Sequence, residues 1–171
     1  MSCCSGWRGW AFALALLPLG GCGFHPLYGE RAALGYDPAL AAITVMPIAD
    51  RVGQIIETAL REDFNPREVA VKPRYTLQVI VSVTRSDLAI QRNATSLRSE
   101  LNASAQFHLS DTANSHVVLT GTSNAVTSFN VPFDAYAATV AEQNAREVAA
   151  QDLSRDIATQ IAIFMHQRKA G

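Results

Sequence analysis

The chain has few cysteines, few lysines and no excess of either charge. Its 171 residues include 14 Lys and Arg against 15 Asp and Glu, which gives a net charge of −1. An excess of positive charge is typical of nucleic-acid binders, and the sequence also lacks any zinc-finger or helix-turn-helix spacing. We therefore expect no nucleic-acid partner. Because hydrophobic residues make up 49% of the chain, the sequence predicts a folded protein with a real core.

Residues typical of metal sites and catalytic sites are also scarce. The four histidines fall in four different predicted elements, and no Cys, Asp or Glu lies near any of them at a metal-ligand spacing. The sequence has neither a Gly-x-Ser-x-Gly turn nor a glycine-rich phosphate loop. It therefore predicts no metal, no cofactor and no enzymatic activity.

Residues 1–21 have the pattern of a lipoprotein signal peptide. Arg8 precedes an uncharged stretch, Ala11 to Leu19, which is shorter than the roughly 20 apolar residues that a membrane-spanning helix needs. The segment Leu19-Gly-Gly-Cys22 resembles a bacterial lipobox, in which small residues precede the acylated cysteine. We therefore predict cleavage after residue 21 and lipid attachment at Cys22, which anchors the mature chain to a membrane.

The mature chain divides into a tether and one domain. Residues 22–39 contain Pro26, Gly29, Gly35 and Pro38, which interrupt any regular period, so we predict an extended N-terminal tether. Residues 40–171 are predicted to form a single domain. Because Cys3 and Cys4 lie in the signal peptide, Cys22 is the one mature cysteine and no disulfide can form within the chain.

Hydrophobic periodicity in the domain predicts the element order β-α-β-β-β-α. A short strand spans Ala42 to Ile48, and a helix spans Val52 to Phe64, with Asp50 as its expected cap. Alternation of apolar and polar residues predicts three further strands, at 75–84, 101–109 and 117–129. The alternation changes phase at Arg85 to Asp87, which predicts a bulge or a bend there.

A long helix is predicted from about Asp134, its expected cap, to Arg168. Its expected core-facing line consists of Val140, Ala141, Ala145, Val148, Ala149, Leu153, Ile157, Ile161 and Phe164. Its acidic residues, among them Glu142, are expected on the solvated side.

Short polar turns between consecutive strands favour an antiparallel meander, and a right-handed crossover makes the first two strands parallel if they are neighbours. Both helices should cover the same apolar face of the sheet. The predicted fold class is therefore α/β (α+β): a two-layer sandwich with a mixed sheet of about four strands and two helices on one face.

Three arginines near the turn between the second and third strands are candidate ligand contacts. Arg92 and Arg98 flank this turn, and Arg85 lies one bend earlier. Arginine suits phosphate because its planar guanidinium donates two charge-assisted hydrogen bonds. Alternatively, these arginines only keep the end of a hairpin soluble and unpaired.

Two segments resemble a known family. Gly21-Cys-Gly-Phe-His-Pro-Leu-Tyr-Gly29 begins the mature chain, and Pro47-Ile-Ala-Asp-Arg-Val-Gly-Gln54 leads into the first helix. Together with the order of the elements, these segments resemble the LPS-assembly lipoprotein family LptE in its alphaproteobacterial form.

The resemblance implies a location and two partners. Members of this family sit as a plug in the lumen of the outer-membrane β-barrel LptD, and the pair inserts lipopolysaccharide into the outer leaflet. We therefore expect a lipid-anchored outer-membrane protein on the periplasmic side, with an LptD-type barrel and lipopolysaccharide as partners. In this family, basic residues near a strand-turn-strand tip are implicated in contacting lipopolysaccharide, which makes Arg92 and Arg98 candidates by location. The alternative is an auxiliary lipoprotein of an ABC-type lipid transport system.

Overall fold

The computed structural model describes residues 37–88 and 97–170. The predicted signal peptide, most of the predicted tether, Cys22 and Arg92 lie outside the described residues. The elements in chain order are α1 (Pro38–Ala41), β1 (Ile43–Val45), α2 (Asp50–Phe64), β2 (Tyr75–Leu88), β3 (Leu97–Asp111), β4 (Val117–Val131) and α3 (Ala135–Ala170).

The four strands form one mixed sheet in the order β1-β2-β3-β4. The short β1 pairs parallel to the start of β2, with Ile43 opposite Tyr75. The long strands β2, β3 and β4 are antiparallel to one another, and Tyr75 also lies opposite Asp111 of β3. The predicted element order, the meander and the parallel first pair are confirmed.

Both long helices cover one face of this sheet and share a single core with it. In α2 the buried residues include Val52, Ile56, Leu60 and Phe64, which lie four positions apart on one helix face. The buried residues of α3 include Ala145, Ala149, Leu153, Ile157 and Ile161, and each lies four positions after the one before. The strands complete this core with Leu77, Leu101, Phe107 and Leu109, which are fully buried.

Two residues of the predicted core line of α3 do not reach the core. Val140 is 45% exposed and Val148 is 38% exposed, so the prediction was wrong for both. The core-facing residues follow a four-residue repeat from Ala145 to Ile161, and Val140 and Val148 lie outside that repeat.

Gly121 of β4 leaves room for the ring of Phe107 on the neighbouring strand. A Cβ atom at this position would overlap that ring and would lie 2.8 Å from Oε1 of Gln160 on α3. The same Gln160 donates a hydrogen bond of 3.1 Å to the backbone oxygen of Thr122. The absent side chain at position 121 is therefore needed for the packing of Phe107 beneath α3.

The ends of the helices differ in part from the sequence prediction. Asp134 caps α3 as predicted, because its Oδ1 accepts a 2.8 Å hydrogen bond from Ala137 N. Asp50 is not a cap: it is the first residue of α2, with a φ of 66°, and the cap position is Ala49, which offers no side-chain acceptor. Asp tolerates this left-handed conformation better than most residues, because its short side chain can bond locally.

The prediction of a bulge or bend at Arg85 to Asp87 is also wrong. Strand β2 pairs with β3 without interruption as far as Leu88 opposite Arg98. The register shift of the sheet lies instead between β3 and β4, at Leu109 and Ser110. The phase change in the sequence arises because the inner face of β2 becomes polar near its end.

The sequence did not predict α1. Asp37 caps it through a 3.0 Å hydrogen bond from Ala39 N to Oδ1, and Pro38 occupies the first helical turn, where its missing N–H costs nothing. This turn overlaps the last residues of the predicted tether. Within the described ranges, no helix combines the length and the hydropathy that a membrane crossing requires.

Candidate functional site

The outer face of the sheet, away from the helices, is a broad surface of uncharged polar side chains. We define it by the residues of β2, β3 and β4 that alternate with the core residues: Thr76, Gln78, Ile80, Ser82, Thr84, Ser86, Arg98, Glu100, Asn102, Ser104, Gln106, His108, Ser110, Val117, Thr120, Thr122, Asn124, Val126, Ser128 and Asn130. Alternation along a strand places these side chains on one side of the sheet.

Formal charges on this outer face are confined to one end. Arg98 and Glu100, both on β3, are its only Arg, Lys, Asp or Glu residues among the strand residues that the structure describes. Elsewhere the face carries Ser, Thr, Asn, Gln and His108, with Ile80, Val117 and Val126 exposed by 58%, 46% and 61%. A partner with hydrogen-bonding groups can cover such a face without burying an unpaired charge, which is the main electrostatic cost of docking.

The opposite face of the same end of the sheet holds a network of charged side chains. Arg85 Nε lies 3.0 Å from Asp87 Oδ1, and Arg85 Nη1 lies 2.7 Å from Oε2 of Glu142 on α3. Ser99 of β3 is fully buried and donates a 2.6 Å hydrogen bond to the same Asp87 oxygen. Arg146 lies one helical turn beyond Glu142 and pairs with its other carboxylate oxygen at 2.6 Å.

These contacts shift the pKa values of both carboxyl groups downward. The hydrogen bond from Ser99, followed by that from Arg85, lowers the pKa of Asp87. The hydrogen bond from Arg146 is the largest cause that lowers the pKa of Glu142, and Arg85 adds to it. Both carboxylates therefore stay ionised at neutral pH and hold Arg85 between strand and helix.

The two candidate arginines that the structure describes have different environments. Arg98 is exposed on the outer face and forms no ion pair within the described residues. Arg85 is on the helix-facing side, where it pairs with two carboxylates and lies 5.5 Å from the centre of the Phe129 ring. Arg92 lies outside the described residues. The structure therefore does not bring Arg85 and Arg98 to one surface.

The Glu142 contact was missed by the sequence prediction, which assigned this residue to the solvated side of the helix. Arg85 and Glu142 are 57 positions apart, so no local spacing relates them. The sequence does contain one signal: in β2 the core-facing series that begins with Tyr75, Leu77 and Val79 continues through Arg85 and Asp87. Two opposite charges in a core-facing register indicate that each has a partner there.

The described part of the chain contains no group of three or more His, Cys, Asp or Glu side chains placed to hold a metal ion. His108, on the outer face, has Thr120 Oγ1 as its partner at 3.2 Å from Nδ1.

Comparison with known proteins gives a family match and similar folds. A family model described as LptE, Lipopolysaccharide-assembly, matches residues 40–165, which is more than half of the chain. No curated protein matches the chain.

Several solved structures share the fold. A lipoprotein from Caulobacter crescentus CB15 is 24% identical, with a TM-score of 0.62 over 76% of this chain and 94% of that one. The rare lipoprotein B from Shewanella oneidensis is 12% identical, with a TM-score of 0.56 over 74% of this chain and 98% of that one. A minor lipoprotein from Acinetobacter baumannii is 16% identical, with a TM-score of 0.52 over 72% and 94%. At these identities the similarity concerns the fold.

Proposed function

Because the chain belongs to the LptE family of lipopolysaccharide-assembly proteins, we propose that it forms the plug and assembly subunit of an LptD-type β-barrel. In this proposal it is an outer-membrane lipoprotein, held on the periplasmic side through acylated Cys22. It assists the insertion of lipopolysaccharide into the outer leaflet by binding and positioning, without catalytic turnover.

The outer face of the sheet is the observation that carries the plug assignment. Its three long strands present Ser, Thr, Asn and Gln over most of their length, with Arg98 and Glu100 at one end. The lumen of a large outer-membrane barrel is polar, so a plug needs a surface that can exchange water for hydrogen bonds to the barrel wall. Such a face meets this need, because it offers donors and acceptors with few charges to desolvate.

Lipopolysaccharide contact is proposed for the end of the sheet where Arg98 is exposed, with Arg92, which lies outside the described residues, as a second candidate contact. The lipid A phosphates would accept bidentate hydrogen bonds from these guanidinium groups. Arg98 suits this role because no carboxylate of the described residues forms an ion pair with its guanidinium group. Arg85, the third candidate, would act indirectly, since its contacts with Asp87 and Glu142 hold this end of the sheet against α3.

Affinity purification from detergent-solubilised membranes tests the assignment. We expect an outer-membrane β-barrel to co-elute with the chain, and we expect depletion of the chain to misassemble that barrel and to admit bulky hydrophobic antibiotics. Co-elution with an inner-membrane ABC permease would support the alternative, an auxiliary transporter lipoprotein. A depleted strain with a normal barrel and a tight outer membrane would overturn the plug assignment.

A further inference from the structure

A cleft of about 440 Å³ lies at the opposite end of the sheet from Arg98, where β2 begins and α3 ends. Strand β2 has 14 residues, so roughly 45 Å of strand separate its two ends at about 3.3 Å per residue. The cleft is lined by residues of α1, of the start of β2 and of the last turns of α3. It is therefore separate from the proposed lipopolysaccharide contact.

Three cationic side chains enter this cleft from two elements. Arg74 immediately precedes β2, and Arg168 and Lys169 come from the last turn of α3. Favourable interaction with the helix dipole accounts for cations on α3, but Arg74 is not part of that helix. The cleft contains one carboxylate, Asp37, whose Oδ1 accepts the hydrogen bond from Ala39 N that caps α1.

Tyr75 contacts two of these cations. Its ring is almost fully buried, and the guanidinium carbons of Arg74 and Arg168 lie 5.5 and 5.8 Å from its centre. Contact with a ring face restrains a guanidinium but leaves its N–H groups able to donate hydrogen bonds. Neither arginine forms an ion pair within the described residues, so these donors are available to a ligand.

We propose that this cleft is a phosphate-binding site, with Arg74, Arg168 and Lys169 as its donors. Two guanidinium groups offer paired donors that match the oxygens of a phosphate, and the lysine adds a third positive charge. The ligand class is a phosphate monoester or diester, carried either by a phospholipid headgroup or by a small soluble molecule.

The length of chain between Cys22 and the cleft is compatible with a phospholipid headgroup as the source of the phosphate. Fifteen positions separate Cys22 from Asp37, and at most about 3.6 Å per residue limits their separation to roughly 54 Å. A lipid anchor at Cys22 would keep the cleft within this distance of a bilayer. Phosphate binding in the cleft does not require the barrel. An experiment can therefore contradict the plug assignment without contradicting the phosphate site, and the reverse.

Calorimetric titration of the full chain in a nonionic detergent tests the site. The probes are inorganic phosphate, glycerol 3-phosphate and dihexanoylphosphatidylglycerol, each at one fixed ionic strength. For each phosphate probe that the parent binds, the affinity of the double variant Arg74→Gln/Arg168→Gln should be lower by about tenfold or more. The control Arg51→Gln/Arg155→Gln removes the same charge from exposed positions that do not line the cleft, and it should bind within about twofold of the parent.

The outcomes separate the sources of the phosphate. Binding of all three probes supports a site open to lipid headgroups, and binding of the two soluble probes alone supports a small phosphorylated molecule. The proposal is overturned if the parent binds none of them, if the double variant binds as the parent does, or if the control loses as much affinity. If the double variant does not fold by circular dichroism, Arg168→Gln alone, at the exposed end of α3, should still weaken binding severalfold, and parent-like affinity would overturn the proposal.

Discussion

Arg85 of β2 and Glu142 of α3 form a 2.7 Å ion pair that joins the far end of the sheet to the first turns of the long helix. Asp87 and Ser99 extend this contact across β2 and β3, and Arg146 extends it along the helix. The pair lies where the inner face of β2 becomes polar, whereas Leu101 of β3, opposite Arg85, is fully buried and the Phe129 ring of β4 lies 5.5 Å from the guanidinium. Charge and hydrogen bonds therefore act together with these apolar side chains at this end of the domain.

Removal of the Ser99 hydroxyl should loosen this end. The Ser99→Ala variant loses the 2.6 Å hydrogen bond to Asp87 at a fully buried position, so we expect its Tm to fall by about 3 °C. Thermal unfolding followed by circular dichroism gives the value. The exposed Ser104→Ala on the same strand should change Tm by less than about 1 °C, and an equal loss in both variants would contradict a specific role for Ser99.

Acid should destabilise the protein through the same network. The pKa values of Asp87 and Glu142 are lower in the folded protein than in the unfolded chain. Their contribution is therefore complete above the pKa values of the unfolded chain and is lost as the pH falls through the lower folded pKa values. Asp63 acts in the opposite direction, because burial raises its pKa.

Urea unfolding between pH 3 and pH 7 measures this dependence. Asp87→Asn should be less stable than the parent at pH 7, and the difference should shrink as the pH falls below the pKa of the unfolded carboxyl group. A difference that stays constant with pH would show that the charge of Asp87 is not the source of its contribution.

A methyl group at position 121 should disturb the packing of Phe107. Because a Cβ atom there would overlap its ring, we expect Gly121→Ala to lower the free energy of unfolding by about 1–3 kcal/mol. Ser123→Ala, two residues along the same face, should be neutral or stabilising, because the buried Ser123 Oγ has no hydrogen-bond partner within the described residues. Chemical denaturation of both variants checks the pair, and an equally stable Gly121→Ala would contradict the tight packing of Phe107 against position 121.

Reversal of the exposed charge at position 98 should weaken lipopolysaccharide binding. Arg98→Glu places a negative charge where the lipid A phosphates are proposed to bind, so we expect affinity to fall about tenfold or more while folding stays intact. Purified variants titrated with lipopolysaccharide give the comparison, with Arg51→Glu as the charge-matched control on α2. Unchanged affinity would remove Arg98 from the contact and leave the plug assignment standing.

Sequence periodicity predicts those parts of the fold in which burial of one face fixes the direction of each side chain. Tyr75, Leu77 and Val79 alternate because one face of β2 is buried, and Leu153, Ile157 and Ile161 repeat because one face of α3 is buried. The same reasoning failed at Arg85 and Asp87, where the buried partners are polar and come from distant segments. The phosphate cleft was not predicted for a related reason, since Arg74 and Arg168 meet only through the fold at Tyr75.

Site-specific photocrosslinking in intact cells tests the plug assignment most directly. A photoreactive residue in place of Gln106, which is exposed near the middle of the outer face, should form an adduct with an outer-membrane β-barrel on irradiation. Mass spectrometry of the purified adduct identifies the partner and the peptide that contacts this face. An adduct with an LptD-type barrel is the result that our proposal predicts; an adduct with an inner-membrane permease, or no adduct from a stably folded variant, would contradict it.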